Sequence, residues 1–109
     1  MYIEDIQFSM ERIAEYTENY TLSLFRNDQK TVDAVIRNFE IIGEAAKNIS
    51  TEIKQKYTHI PWDEMYALRN KITHEYFGVD FEIIWEIATN HLPLNKIEID
   101  KLLEDKTII

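Results

Sequence analysis

Thr31-Val32-Asp33-Ala34-Val35-Ile36-Arg37-Asn38-Phe39-Glu40-Ile41-Ile42-Gly43-Glu44-Ala45-Ala46-Lys47 carries two apolar stripes at once. Val32, Val35, Ile36, Phe39, Ile42, Gly43 and Ala46 recur at spacings of three and four, and Ala34, Ile41 and Ala45 form a second line. That pattern predicts a helix from near Thr31 to about Ile49, covered on two sides and central to a bundle. Gly43 costs about 1 kcal/mol against Ala in a helix interior, so close backbone packing is the reason expected for it. What remains is a polar ridge of Asp33, Arg37, Glu40, Glu44 and Lys47. Either it is a solvated row of ion pairs worth a few tenths of a kcal/mol each, or it is the wall of a site.

The flanking segments are helical by the same test. Ile3, Ile6, Met10, Ile13 and Tyr16 to Tyr20 give an amphipathic first helix, with Glu4, Glu11, Glu15 and Glu18 on its solvent side. Thr21 to Lys30 is polar and broken, with a short turn around Leu22 to Phe25. Thr51 to Tyr57 reads as a short helix capped by Ser50 or Thr51. Ile60-Pro61 marks a boundary, and a long helix is expected from Pro61 to about Tyr76, with Gly78 as its C-terminal stop. A further helix runs from about Asp80 to Asn90, with Phe81, Ile84, Trp85 and Ala88 facing inward. Leu92-Pro93 is expected to reset the chain before a last helix marked by Leu94, Ile97, Leu102 and Leu103. No strand-like alternation and no internal repeat occur. The expected fold is all-α, a small up-and-down helical bundle forming one domain over residues 1–109.

Composition bounds what such a bundle does. At 109 residues, 45% apolar and 29% charged, the chain is globular and has room for one core. The absence of cysteine excludes a disulfide scaffold, a thiolate zinc site and a Cys nucleophile. No apolar run approaches the ~18 residues of a membrane span, and the N-terminus lacks a signal-peptide layout. A soluble, cytoplasmic protein with no membrane contact is expected. The net charge of −8 argues against a nucleic-acid partner, since phosphate affinity rests on Lys and Arg. Residues 45–71, however, hold five basic and three acidic side chains, +2 in all, so the rest of the chain is −10. An anion site belongs in or near that window.

The long helix after Pro61 contains Arg69-Asn70-Lys71-Ile72-Thr73-His74-Glu75-Tyr76. At about 100° per residue, Thr73 lies about 40° from Arg69 and Tyr76 about 20° to its other side. Asn70 and His74, four apart, share the adjoining stripe. Trp62, Met65, Leu68 and Ile72 form the line that holds this helix to the core. The polar face thus offers a fixed cation, an amide, an imidazole and a phenol. Arginine forks onto phosphate oxygens, and histidine titrates near neutrality and can move a proton. RNA supplies its own nucleophile in the 2′-hydroxyl, so neither a metal nor a protein nucleophile is required. One histidine does not easily serve both sides of a phosphorus, but a two-fold dimer would bring two to one cleft. His59 and His91 sit beside boundaries, where loop or capping roles are ordinary, and neither has a neighbour at metal-ligand spacing. No glycine-rich phosphate cradle is present.

Arg69-Asn70-x-x-x-His74-x-Tyr76 resembles the R-x-x-x-x-H-x-Y signature of HepT-like toxins, a branch of the HEPN superfamily. Residues 34–46 and Ile60-Pro61-Trp62 resemble that branch as well, so the likeness spans nearly the whole chain. The resemblance implies a homodimer joined through the signature helices and a metal-independent ribonuclease without a cofactor. It implies that Arg69 steadies the phosphate, His74 transfers protons and Asn70 fills the polar position after the Arg. Thr73, Arg37, Glu40 and Glu44 are the supporting candidates. It further implies a partner, an MNT-type nucleotidyltransferase antitoxin that uses ATP to add AMP to the signature tyrosine, here Tyr76. A reading from another class stands beside it: a non-catalytic helical partner of a nucleotidyltransferase or a nucleotide.

Overall fold

A computed structural model describes residues 2–105, and among them every regular element is helical. The helices are α1 (Tyr2–Thr17), α2 (Leu22–Arg26), α3 (Gln29–Lys47), α4 (Thr51–Lys56), α5 (Trp62–Glu75), α6 (Phe81–Glu86) and α7 (Leu92–Glu104). A 3-10 turn, Tyr76–Gly78, follows α5, and a π turn, Ile87–His91, joins α6 to α7. Helix α3 packs against α1 on one side and α5 on the other, while α7 lies along α1. The two stripes of α3 explain that placement: Val32, Val35, Ile36, Phe39, Ile42 and Ala46 are all buried. The bundle expected from the sequence is the one observed.

Local chemistry sets the helix ends. Asp28 caps α3, its carboxylate accepting from the Thr31 backbone N–H at 3.1 Å and from the Tyr20 hydroxyl at 2.6 Å. The helix therefore begins at Gln29, two residues before the start expected at Thr31. Ser50 caps α4 through the Ile53 N–H. Helix α2 buries Phe25 completely and stacks it on Trp85 at 5.3 Å, which fixes the polar stretch between α1 and α3 to the core.

Two expected breaks take another form. Gly78 does not cap α5 in a left-handed conformation, since no glycine in the described chain has positive φ. The helix tightens instead into the 3-10 turn, closed by the Val79 N–H on the Tyr76 carbonyl at 3.2 Å. Leu92-Pro93 does not reset the chain either. Leu92 is helical at φ −58 and ψ −43, and its N–H reaches back five residues to the Ile87 carbonyl. The wide turn takes the strain of a proline at the start of α7, and the helical path runs on. Helix α7 then turns Leu92, Ile99 and Leu102 inward, leaving Leu94 and Ile97 exposed.

Past the end of α7, the Tyr57 hydroxyl donates to the Asp105 carboxylate. That bond, with burial and the nearby negative charge, pushes the Tyr57 phenol up to about 12. A phenol raised on folding adds stability that is complete below its ordinary value of about 10 and is lost as pH climbs through about 12. Absorbance titration of the folded protein should therefore show one of its six tyrosines ionising near pH 12. Tyr57→Phe should remove that step and flatten the alkaline loss of stability; a curve unchanged by the substitution would refute the assignment.

Candidate active site

Helix α5 opens with Asp63 and Glu64 in its first turn, where carboxylates suit the positive end of the helix dipole. Trp62, Met65 and Ile72 are buried, and Leu68 packs half-buried beside them. This docking line rolls Arg69 and Asn70 onto the shoulder of the helix and leaves Thr73 and His74 exposed.

Gly43 governs how closely the shoulder approaches α3. A Cβ on Gly43 would overlap the Arg69 Cβ and sit 2.6 Å from the Met65 carbonyl oxygen. The missing side chain is what lets the two helices touch at Arg69. One step along α3, Glu44 Oε2 takes the Arg69 Nε at 3.1 Å. The guanidinium also donates from Nη1 to Asn70 Oδ1 at 2.8 Å. Two of its five donors are thus committed to aiming the group, and the other three make no hydrogen bond among the described residues. The ion pair is partly solvated, so its value lies in orientation more than in stability.

At the far end of the same ridge, the Tyr76 hydroxyl donates to Asp33 Oδ1 at 2.5 Å. Gln29 donates to that oxygen from its amide at 2.8 Å. The bond from Tyr76, then that from Gln29, holds Asp33 below the usual carboxylate range. Asp33 in turn raises the Tyr76 phenol, with a smaller push from the charge of Glu40. With Glu44 on Arg69 and Asp33 on Tyr76, α3 and α5 run antiparallel with facing polar ridges. Among the described residues no ion pair forms within the α3 ridge itself; its partners are on α5. Asp33 and Glu44 thus join the ridge to α5 at its two ends.

Beside the Arg69 end, Arg37, Glu40, Glu44 and Arg69 line an open cavity of about 330 Å³ whose other side is formed by Tyr2 and Asp5 of α1. Tyr2 and Asp5 carry no signal in the sequence, because residues on a separate helix join the cavity only through packing. Thr73 and His74 stand outside it and make no side-chain hydrogen bond or ion pair among the described residues. The chain thus assembles Arg69, Asn70, Arg37, Glu40 and Glu44, and presents the imidazole on the open face beside them. His59 binds Glu98 at 2.7 Å, tying the loop before α5 to α7, while His91 belongs to the π turn. Among the described residues no group of three His, Cys, Asp or Glu side chains could hold a metal ion, and no helix is long and apolar enough to cross a membrane.

Fold and site together define an all-helical protein with a half-buried arginine and an exposed histidine on one helix. The family model described as Ribonuclease HepT-like matches residues 6–102, and the chain belongs to that family. A protein of Thermococcus cleftensis named "Probable ribonuclease HepT" is 44% identical over 93% of this chain and 92% of its own length. A candidate RNase of Methanocaldococcus jannaschii is 41% identical over 95% of this chain and 86% of its own length. Another protein of that organism, whose name joins a gamma-glutamylcyclotransferase to a candidate RNase, is 43% identical over 96% of this chain and 47% of its own length. No solved structure matches significantly.

Proposed function

We propose that this protein is a metal-independent RNA endonuclease acting as the toxin of a toxin–antitoxin pair. The observation that carries the reading is Arg69, aimed by Glu44 and Asn70 with three donors that make no hydrogen bond among the described residues, and an exposed His74 on the adjoining stripe of the same helix. Arg69 holds the phosphate that is cut. The 2′-hydroxyl of the RNA attacks it, and His74 moves the proton. A homodimer joined through α5 supplies the second His74 and doubles the positive charge of the cleft. The open face around Thr73 and His74 and the wholly exposed Phe77 next to Tyr76 support such a contact.

RNA incubated with the purified protein in EDTA should be cut to products ending in 2′,3′-cyclic phosphate. A strict need for a divalent metal would overturn the mechanism. The net charge of −8 and the carboxylates of the cavity favour the other reading, a non-catalytic partner of a nucleotidyltransferase or nucleotide. The same assay separates the two, since that reading expects intact RNA.

Neutralisation falls on Tyr76. An MNT-type nucleotidyltransferase antitoxin, carrying ATP, adds AMP to the phenol, whose ring is partly exposed. Each AMP brings about one negative charge and a bulky adenosine, which compete with RNA for Arg69. Cells expressing Tyr76→Phe together with active antitoxin should stay arrested where wild-type toxin is silenced. Equal silencing of both would remove Tyr76 from the account.

A further inference from the structure

We propose that Asp33 is the residue that positions the Tyr76 hydroxyl and accepts its proton when AMP is transferred to it; this rests on the reading of Tyr76 as the acceptor. The geometry is specific. The Tyr76 hydroxyl donates to Asp33 Oδ1 at 2.5 Å, and the Gln29 amide also lies in hydrogen-bonding reach of the phenol. Gln29, one turn earlier on α3, donates to that same oxygen at 2.8 Å and so fixes the carboxylate in turn. The order amide, carboxylate, phenol is that of an orienting group, a base and a nucleophile. All three lie near the N-terminal end of α3, and Tyr76 as a residue is 36% exposed, so a second enzyme can approach it.

The chemistry requires such a group. A phenol is a weak nucleophile until its proton leaves, and this one holds its proton more tightly than an ordinary tyrosine because Asp33 and Glu40 face it. Free phenolate at neutral pH is therefore scarce. Asp33 is ionised there, since the Tyr76 and Gln29 bonds keep it below the usual carboxylate range. In the step, the phenolic oxygen bonds to the α-phosphorus of ATP as its proton passes to Asp33. The bond from the α-phosphorus to the bridging oxygen breaks, and pyrophosphate leaves on the opposite side. Asp33 then gives the proton to water. The product is one tyrosyl-AMP phosphodiester and one pyrophosphate.

The experiment is single-turnover labelling of the full chain by an MNT-type nucleotidyltransferase with α-labelled ATP, over a range of pH. Wild type is compared with Asp33→Asn and Asp33→Glu, and thermal melting verifies that each variant is folded. Asp33→Asn keeps an acceptor oxygen but cannot take a proton, so transfer should slow by about 10²–10⁴-fold at neutral pH, the range of general base catalysis. The ratio of variant to wild-type rate cancels the transferase's own titrations. It should rise with pH as hydroxide replaces the missing base, and Asp33→Glu should recover part of the rate. Labelling of Asp33→Asn at the wild-type rate overturns the proposal and leaves Tyr76 as acceptor. A slow variant whose ratio stays flat with pH also overturns it, because loss of packing alone gives that result. If wild type takes no label on Tyr76, the acceptor reading fails and the proposal with it.

Discussion

His74→Ala should cut RNA about 10²–10⁴ times more slowly than wild type while melting at nearly the same temperature. The rate prediction follows from histidine being the commonest side chain in general acid–base catalysis. The stability prediction follows from its surroundings: His74 is exposed and has no hydrogen bond or ion pair to lose among the described residues. Arg69 behaves differently. Arg69→Ala would remove the proposed phosphate contact and also strand Glu44 and Asn70, so binding and rate should both fall. Arg69→Lys should recover little. A guanidinium meets Glu44 through Nε, Asn70 through Nη1 and a phosphate with what is left. A lysine ammonium is a single point, and Glu44 would capture it. Cleavage assays in EDTA on the three variants test these roles. Undiminished cleavage by His74→Ala, or full activity in Arg69→Lys, would sink the mechanism.

Helix α3 shows how far the sequence reaches. Its two apolar stripes place it between α1 and α5, because the period of a helix converts spacing directly into faces. The α5 core line follows for the same reason, and Trp62, Met65 and Ile72 are where it puts them. Its polar ridge was open between a solvated row and a wall, since spacing says which residues share a face but not what lies opposite. Asp33 belonged to that ridge and to no candidate site, and only packing against α5 gave it Tyr76 as a partner. Phe25 stayed hidden in a polar stretch because one buried ring sets no period. Leu92-Pro93 read as a break because proline opposes an ordinary α-turn, and a π turn escapes that rule. The charge pattern reached only part of the cavity: Arg69 lies in the basic window, but Arg37 lies outside it, and Asp5, Glu40 and Glu44 line the same cavity.

Gly43→Ala should damage both the fold and the reaction, although alanine is the better helix former. Propensity alone favours the change by about 1 kcal/mol. Against it stands overlap with the Arg69 Cβ and a 2.6 Å approach to the Met65 carbonyl. Neither atom is the end of a flexible side chain, so no rotamer change relieves the contact, and α5 must move away from α3. Overpacking of this kind costs about 1–3 kcal/mol, and for a domain of this size each kcal/mol lowers Tm by roughly 4–8 °C. Net of the propensity gain, the steric cost leaves up to about 2 kcal/mol, a fall in Tm of up to roughly 8–16 °C. The movement begins at Arg69 itself, so its pairing with Glu44 is strained first, and a misplacement near 1 Å is worth about 10² in rate. Gly78→Ala is the control. The nearest atom to its added Cβ is 4.0 Å away and its φ is not positive, so the variant should melt and cleave like wild type. If Gly43→Ala behaves like that control, the close approach at Arg69 does not set the site.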